Sequence, residues 1–261
     1  MPEPRGAAPS STPVNPAIAP EAAGMPLFRA VKRALLQRIE AGEVAPGQAL
    51  PSEAALATAY GVSIGTLRRA VDDLVAEHIL VRRQGRGTYV ATHGSDRFLF
   101  QFFHVERADG LREVPQVELV SFERTRLDDD AAAALNLKSG APALQIENRL
   151  LLQGRAVVYD RIVIPAALFR GLTERRWQER PGTIYQLYQS GFGITVARAH
   201  ERLAAVGADR TTARVLGVAP NQPLLQVRRV AIDLGGHAVE WRISMVLTAQ
   251  HEYVNRLSRP A

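Results

Sequence analysis

The stretch LPSEAALATAYGVSIGTLRRAVDDLVAEHILVRRQGRGTYV, Leu50 to Val90, decides how the chain is organised. Behind Pro51, the Ser52 hydroxyl can accept a hydrogen bond from the free N–H groups of a following turn, which predicts a helix over 53–60. Gly61 supplies the positive φ that ends such a helix. Ser63 then caps a second helix, in which Leu67, Ala70, Val71, Leu74 and Val75 recur at helical spacing. That spacing turns Gly65, Thr66, Arg68, Arg69 and Asp72 outward. Two helices with so short a joint form a helix-turn-helix. Ile79 to Arg83 and Thr88 to Val90 read as short strands around Gln84-Gly85-Arg86-Gly87, whose glycines permit a tight turn with Arg86 at its tip.

A helix-turn-helix places the N-terminal end of its second helix in the DNA major groove. The expected reading edge is therefore Ser63, Ile64, Gly65, Thr66, Arg68 and Arg69, with Ser52 and Glu53 beside it. Arg83, Gly85, Arg86 and Gly87 form a wing aimed at an adjacent groove. Guanidinium groups suit both phosphate and guanine. Solubility alone would explain any one of these arginines. A capped turn, an outward Arg pair and a Gly-Arg-Gly wing within one short stretch are far more specific and point to duplex DNA.

From Pro26 to Ala41, the residues Leu27, Val31, Leu35 and Ile39 share one helical face, which makes this segment a third helix of the same domain. Upstream, residues 1–24 hold six prolines among Ala, Ser and Gly. They read as a disordered tail without the apolar block of a secretion signal.

The whole chain has 261 residues, 46% of them hydrophobic, and a formal net charge of +6. That length suits two domains. With no long apolar run, the composition predicts a soluble globular protein without a membrane partner. No cysteine is present, which excludes disulfides and thiolate metal sites and fits a cytoplasmic setting. Six histidines show no ligand spacing, so neither a metal nor a cofactor is expected.

After Val90 a polar linker over 93–97 leads to a second domain over 98–257, leaving the DNA-binding domain as 25–92. Its main signal is internal repetition: LNLKSGAPALQI from Leu135 recurs as LGVAPNQPLLQV from Leu216, an offset of 81 residues. Each copy reads helix, Pro turn, strand, turn, strand. The strands are expected over 143–152 and 156–164, and again over 224–234 and 238–246, with helices over 131–137 and 183–189. The fold class is thus α+β, a winged helix-turn-helix followed by an antiparallel-sheet domain. Duplicated halves commonly enclose a ligand between them.

The pattern LPSE, GVS, TLRRA and RRQGRGTYV resembles the winged helix-turn-helix of GntR-type bacterial transcription regulators. Residues 95–255, through RLLLQGRAVVYDRIVIP, TIYQLY, LGVAPNQPLLQVRR and AVEW, resemble the chorismate-lyase-like UTRA effector domain of the HutC subfamily. The resemblance implies a ligand-controlled, homodimeric regulator, expected to be a repressor, that binds a two-fold operator and a small anionic metabolite. Carried over by position, the effector residues are Arg149, Asp160, Thr183, Tyr185 and Glu240, with Arg242 and Glu201 as further candidates by residue type. Arg149 would pair with a carboxylate or phosphate.

Four departures matter. Ala54 and Ile64 stand where many members carry arginines, so the operator sequence does not carry over. Gln101-Phe102-Phe103 and Leu151 replace hydroxyl and arginine contacts of members that bind sugar phosphates, which implies a ligand more apolar or less charged, such as a carboxylate. Two other functions compete. A chorismate-lyase-like enzyme would need a nucleophile-base pair, and none is visible. An architectural DNA binder would explain the missing arginines but leave the duplicated domain without a role.

Overall fold

The computed structural model describes residues 24–94 and 101–255. The expected tail lies outside that range apart from Gly24, and the expected linker is covered only at His93 and Gly94. Two compact units emerge. One runs through Val44 and resumes over Gln48–Tyr89; the other takes Ala45–Gly47 and the chain from Val90 onward.

The first unit contains α1 (Leu27–Glu40), α2 (Glu53–Tyr60), α3 (Ile64–Ala76), β1 (Leu80–Arg83) and β2 (Gly87–Val90). Its local signals act as read from the sequence. Ser52 Oγ accepts from the Ala55 amide at 3.2 Å, and Ser63 Oγ from the Thr66 amide at 3.1 Å. Gly61 ends α2 at φ 64°. Val31, Leu35 and Ile39 of α1 are buried, as are Leu67, Ala70, Val71 and Leu74 of α3. Leu27, expected on the same stripe, is 49% exposed because it is the first residue of α1. The β1–β2 hairpin is extended by the Leu50 amide, which donates to the Thr88 carbonyl at 2.8 Å.

The second unit is built on a six-stranded antiparallel sheet of order β4-β5-β6-β9-β8-β7. Its members are β4 (Gln116–Arg126), β5 (Pro142–Leu152), β6 (Arg155–Pro165), β7 (Val196–Gly207), β8 (Pro223–Asp233) and β9 (Ala238–Val246). The internal repeat is its symmetry. α4 (Asp129–Leu135) and α7 (Arg210–Leu216) stand at the same offset as β5 and β8. Asp128 and Asp209 cap these helices in the same way, and Asn136 and Gly217 end them in the left-handed region. The copies meet where β6 pairs with β9.

Hairpin boundaries agree with the expectation to within a residue or so, whereas α4 begins and ends two residues before the expected 131–137. Its real start is set by Asp128, whose carboxylate accepts from the Ala131 amide at 2.7 Å. One sheet face carries α4 and α7. The other carries α5 (Glu174–Gln178), α6 (Ile184–Phe192) and the core around Trp177, Tyr185, Tyr188 and Phe169. On that face, β3 (Val105–Arg107) and β10 (His251–Tyr253) pair with each other in a separate two-stranded sheet. Among the described residues, no helix is long and apolar enough to cross a membrane.

Candidate functional site

In the first unit, the N-terminal end of α3 is open. Ser63, Ile64, Gly65, Arg68 and Arg69 are exposed and Thr66 is half-buried. The Ser63 hydroxyl is engaged with the Thr66 amide and hydroxyl, so these two side chains form the cap and present only their outer surfaces. Arg68 Nε donates to Glu53 at 3.0 Å, with its side chain 60% exposed. Arg69, one residue on and about 100° around the helix, stacks over the Phe28 ring at 4.1 Å. The adjacent arginines therefore do not act as a pair: Arg68 belongs to the α2 side, Arg69 to the α1 side.

The wing presents Arg83, Gly85, Arg86 and Gly87 to solvent. Gly85 at φ 69° and Gly87 at φ 107° carry the turn, and Tyr89 Oη donates to the Arg86 carbonyl at 3.1 Å. Arg83 lies over the Tyr89 ring. Sequence reasoning missed Arg82, which donates to Glu53 at 3.3 Å and pairs with Asp72 at 2.5 Å. Glu53 thereby ties a reading-helix arginine to a wing arginine. Such exposed pairs contribute little to stability; their effect is to hold Arg68 and Arg82 on one surface.

In the second unit, a cavity of about 30 Å³ opens on the face that carries α6. It straddles the seam between the repeats, with Val158 and Asp160 from β6, Val227 and Arg229 from β8, and Arg242 and Ser244 from β9. Phe103, His104 and Tyr253 cover it. The space suits about one water molecule. Behind the wall lies a buried polar network. Arg242 forks onto Glu240, with both contacts at 3.0 Å, and reaches Asp160 at 3.3 Å. The hydroxyls of Tyr185 and Tyr188 donate to Glu240 at 3.1 and 2.8 Å, and Ser244 donates to Asp160 at 2.5 Å. Arg229 donates to Glu201 at 2.6 Å and to the Phe102 carbonyl, and Tyr253 donates to Glu201.

Burial pushes the Asp160 carboxyl above the ordinary aspartate range, against the opposing pull of Arg242 and Ser244. Burial also raises Tyr185 and Tyr188, keeping both phenols as donors. At Glu201, burial is outweighed by Arg229 and the Tyr253 hydroxyl, so the group is held below its usual value. Burial lowers His104, which leaves the imidazole uncharged near neutral pH.

The expected effector residues separate into three groups. Asp160 lines the cavity, and Tyr185 and Glu240 stand behind it in the network. Arg149 does not join them. It pairs in register with Tyr159 on the face that carries α4 and α7, and it donates to Glu118 at 2.9 Å. Strand alternation is the reason: Asn148, the neighbour that faces α5, accepts from the Trp177 indole at 3.2 Å, so Arg149 must point the other way. Thr183 does not line the cavity either. Its hydroxyl caps α6, accepting from the Gln186 amide at 3.1 Å, and donates to the His93 carbonyl at 3.1 Å. His93, read as the start of a linker, is 1% exposed. The cavity arginines are Arg229 and Arg242. Arg242 was a candidate by residue type; Arg229 was missed, although the repeat offset applied to Asn148 lands on it. Among the described residues no cluster of metal-ligand type occurs.

Comparison with known proteins agrees with this architecture. The family model for bacterial regulatory proteins of the gntR family matches residues 27–90, and that for the UTRA domain matches residues 110–252. The chain is 27% identical over 202 residues to the mannosyl-D-glycerate transport/metabolism system repressor MngR of Escherichia coli (strain K12), covering 77% of this chain and 83% of that one. It is 31% identical over 160 residues to the histidine utilization repressor of Klebsiella aerogenes, covering 59% of this chain and 66% of the other. The crystal structure of the ligand-binding domain of a GntR-family transcriptional regulator from Bordetella bronchiseptica matches with a TM-score of 0.57 at 31% identity, covering 61% of this chain and 99% of that one. These matches, with the winged head and the duplicated sheet, show that the chain belongs to the GntR family of bacterial regulatory proteins and is a DNA-binding transcription regulator with a UTRA effector domain.

Proposed function

We propose that this protein is a cytoplasmic, homodimeric repressor that holds a two-fold operator through the α3 edge and the β1–β2 wing and releases it when a small molecule occupies the cavity at the β6–β9 seam. The observation that carries the proposal is the pairing of an exposed arginine edge at the start of α3 with a buried, ion-lined cavity in the duplicated domain. The residues proposed for DNA contact are Ser52, Glu53, Ser63, Ile64, Gly65, Thr66, Arg68, Arg69, Arg83, Gly85, Arg86 and Gly87, to which Arg82 is added. The effector site is proposed around Asp160, Arg229, Arg242 and Ser244, with Tyr185 and Glu240 as positioning residues behind it.

A homodimer meets DNA through two equal heads, so the operator must itself be two-fold. The effector can shift operator binding only by its differential affinity for the two states of the protein. Nuclease footprinting of the upstream intergenic DNA tests this, together with transcript levels in a deletion strain. Two related half-sites and raised expression of an adjacent operon are expected. A single unsymmetrical footprint, or a fall in that expression, contradicts the reading.

A further inference from the structure

The charges around the cavity carry an inference about its ligand, resting on the reading of this cavity as the effector site. Two guanidiniums, Arg229 and Arg242, meet three carboxylates, Asp160, Glu201 and Glu240. Both guanidiniums are already engaged by acids, and Arg229 also holds the Phe102 carbonyl. Arg180 acts on Arg242 from outside the lining, beside the Trp177 ring, which brings the neighbourhood close to neutrality rather than to a cationic surplus. Glu106 pairs with Arg112 beside the cavity and adds no net charge. An anion entering here would have to displace a buried carboxylate from its arginine, which leaves an uncompensated charge in a desolvated site.

The acceptor with spare capacity is Asp160. A carboxylate offers about four lone-pair sites, and Asp160 receives one hydrogen bond from Ser244 and one longer contact from Arg242. Its side chain is 2% exposed and lines the cavity. Apart from His104 and Tyr253, the remaining wall is apolar, with Phe103, Val105, Leu150, Val158, Val227 and Val246.

We infer that the effector carries a hydrogen-bond-donating head, a protonated amine in preference to a carboxylate or phosphate, which Asp160 receives, with an apolar body lying along the valine and phenylalanine wall. The cavity as it stands holds about one water molecule, so such a ligand enters by displacing the cover. That cover is β3 and β10, paired with one another and flanked by the Val254 amide on the His104 carbonyl and the Ala108 amide on the Gln250 carbonyl, together with Phe103 and His104. Opening it breaks the Tyr253–Glu201 hydrogen bond and uncovers Val105, a cost that the ligand's contacts with Asp160 and the apolar wall must offset. Burial raises the Asp160 carboxyl, and an ammonium head would bring it back down, so binding releases protons where Asp160 is partly protonated.

Three probes of one shape separate the possibilities: n-butylammonium, n-butanol and butanoate, titrated into the full-length ¹⁵N-labelled protein while the backbone amides of Asp160, Arg229 and Ser244 are followed. The expected result is that n-butylammonium shifts these amides at roughly a tenth of the concentration that butanoate needs, a difference of the size one charge-assisted contact supplies. Asp160→Asn should abolish the preference for the amine while n-butanol still binds, and that retained binding shows that the variant is folded. Leu150→Val, which widens the apolar wall without touching the charges, should keep the order amine before carboxylate. Butanoate binding at equal or lower concentration overturns the ligand class and leaves the site standing. Shifts by none of the three overturn the site itself.

Discussion

Arg68 is the exposed guanidinium at the start of α3, held to Glu53 at 3.0 Å. Arg68→Ala should weaken operator binding by about 1–3 kcal/mol with a loss of preference at one base position; an unchanged affinity in a titration against operator DNA removes Arg68 from the interface. The buried network makes a second prediction. Because burial raises the Asp160 carboxyl above its ordinary value of 3.8, the contribution of this group to stability is fully present below that value and is lost as pH rises through the raised one. The stability of the native protein relative to Asp160→Asn should therefore fall by up to about 1.4 kcal/mol per pH unit across that window. Denaturant unfolding at a series of pH values checks it, and a difference that does not vary with pH defeats it. Other residues were less legible. Arg149 and Arg229 sit at neighbouring register positions of equivalent strands but on opposite faces, and the run Arg149-Leu-Leu-Leu152 gives no alternation from which the inward side can be read.

Among the elements, what could be read was what recurs or is capped. The two repeat hairpins were visible because their Pro and Gly turns bracket apolar runs at a fixed offset, and α2 and α3 because Ser52, Gly61 and Ser63 mark their ends. The strands β4 and β7 were not visible. They form the edges of the sheet and alternate only weakly between half-buried and exposed residues. Pairing of β3 with β10 joins Val105 to Tyr253, and no local pattern reports so distant a partner. The repeat also yields a test. Gly217 ends α7 at φ 68° with open space where a Cβ would lie, and Asn136 ends α4 at φ 54° in the equivalent place. Gly217→Ala should cost about 1 kcal/mol through backbone strain alone, while Asn136→Gly should be neutral or slightly stabilising. Thermal unfolding of both variants decides the matter; a Gly217→Ala protein as stable as the native one would show that the left-handed cap is not what ends α7.

For the molecule as a whole, charge was the least informative signal. Residues 25–93 carry nine basic and six acidic side chains, a net charge of +3, little different from the rest of the chain. On the proposed reading, DNA binding is encoded by the placement of a few arginines and not by the overall balance. If Arg86 at the wing tip meets a phosphate, Arg86→Ala should lower affinity alike for operator and random duplex and reduce the slope of log K against log salt by about 1; an operator-selective loss would make it a base contact instead. The central claim is sequence-specific recognition by a head that lacks arginine at positions 54 and 64. Fluorescence anisotropy of the purified protein with its own upstream intergenic DNA, competed by random duplex at physiological salt, tests that claim most directly. A preference of at least about 10³-fold is predicted, and equal affinity for both duplexes would contradict it.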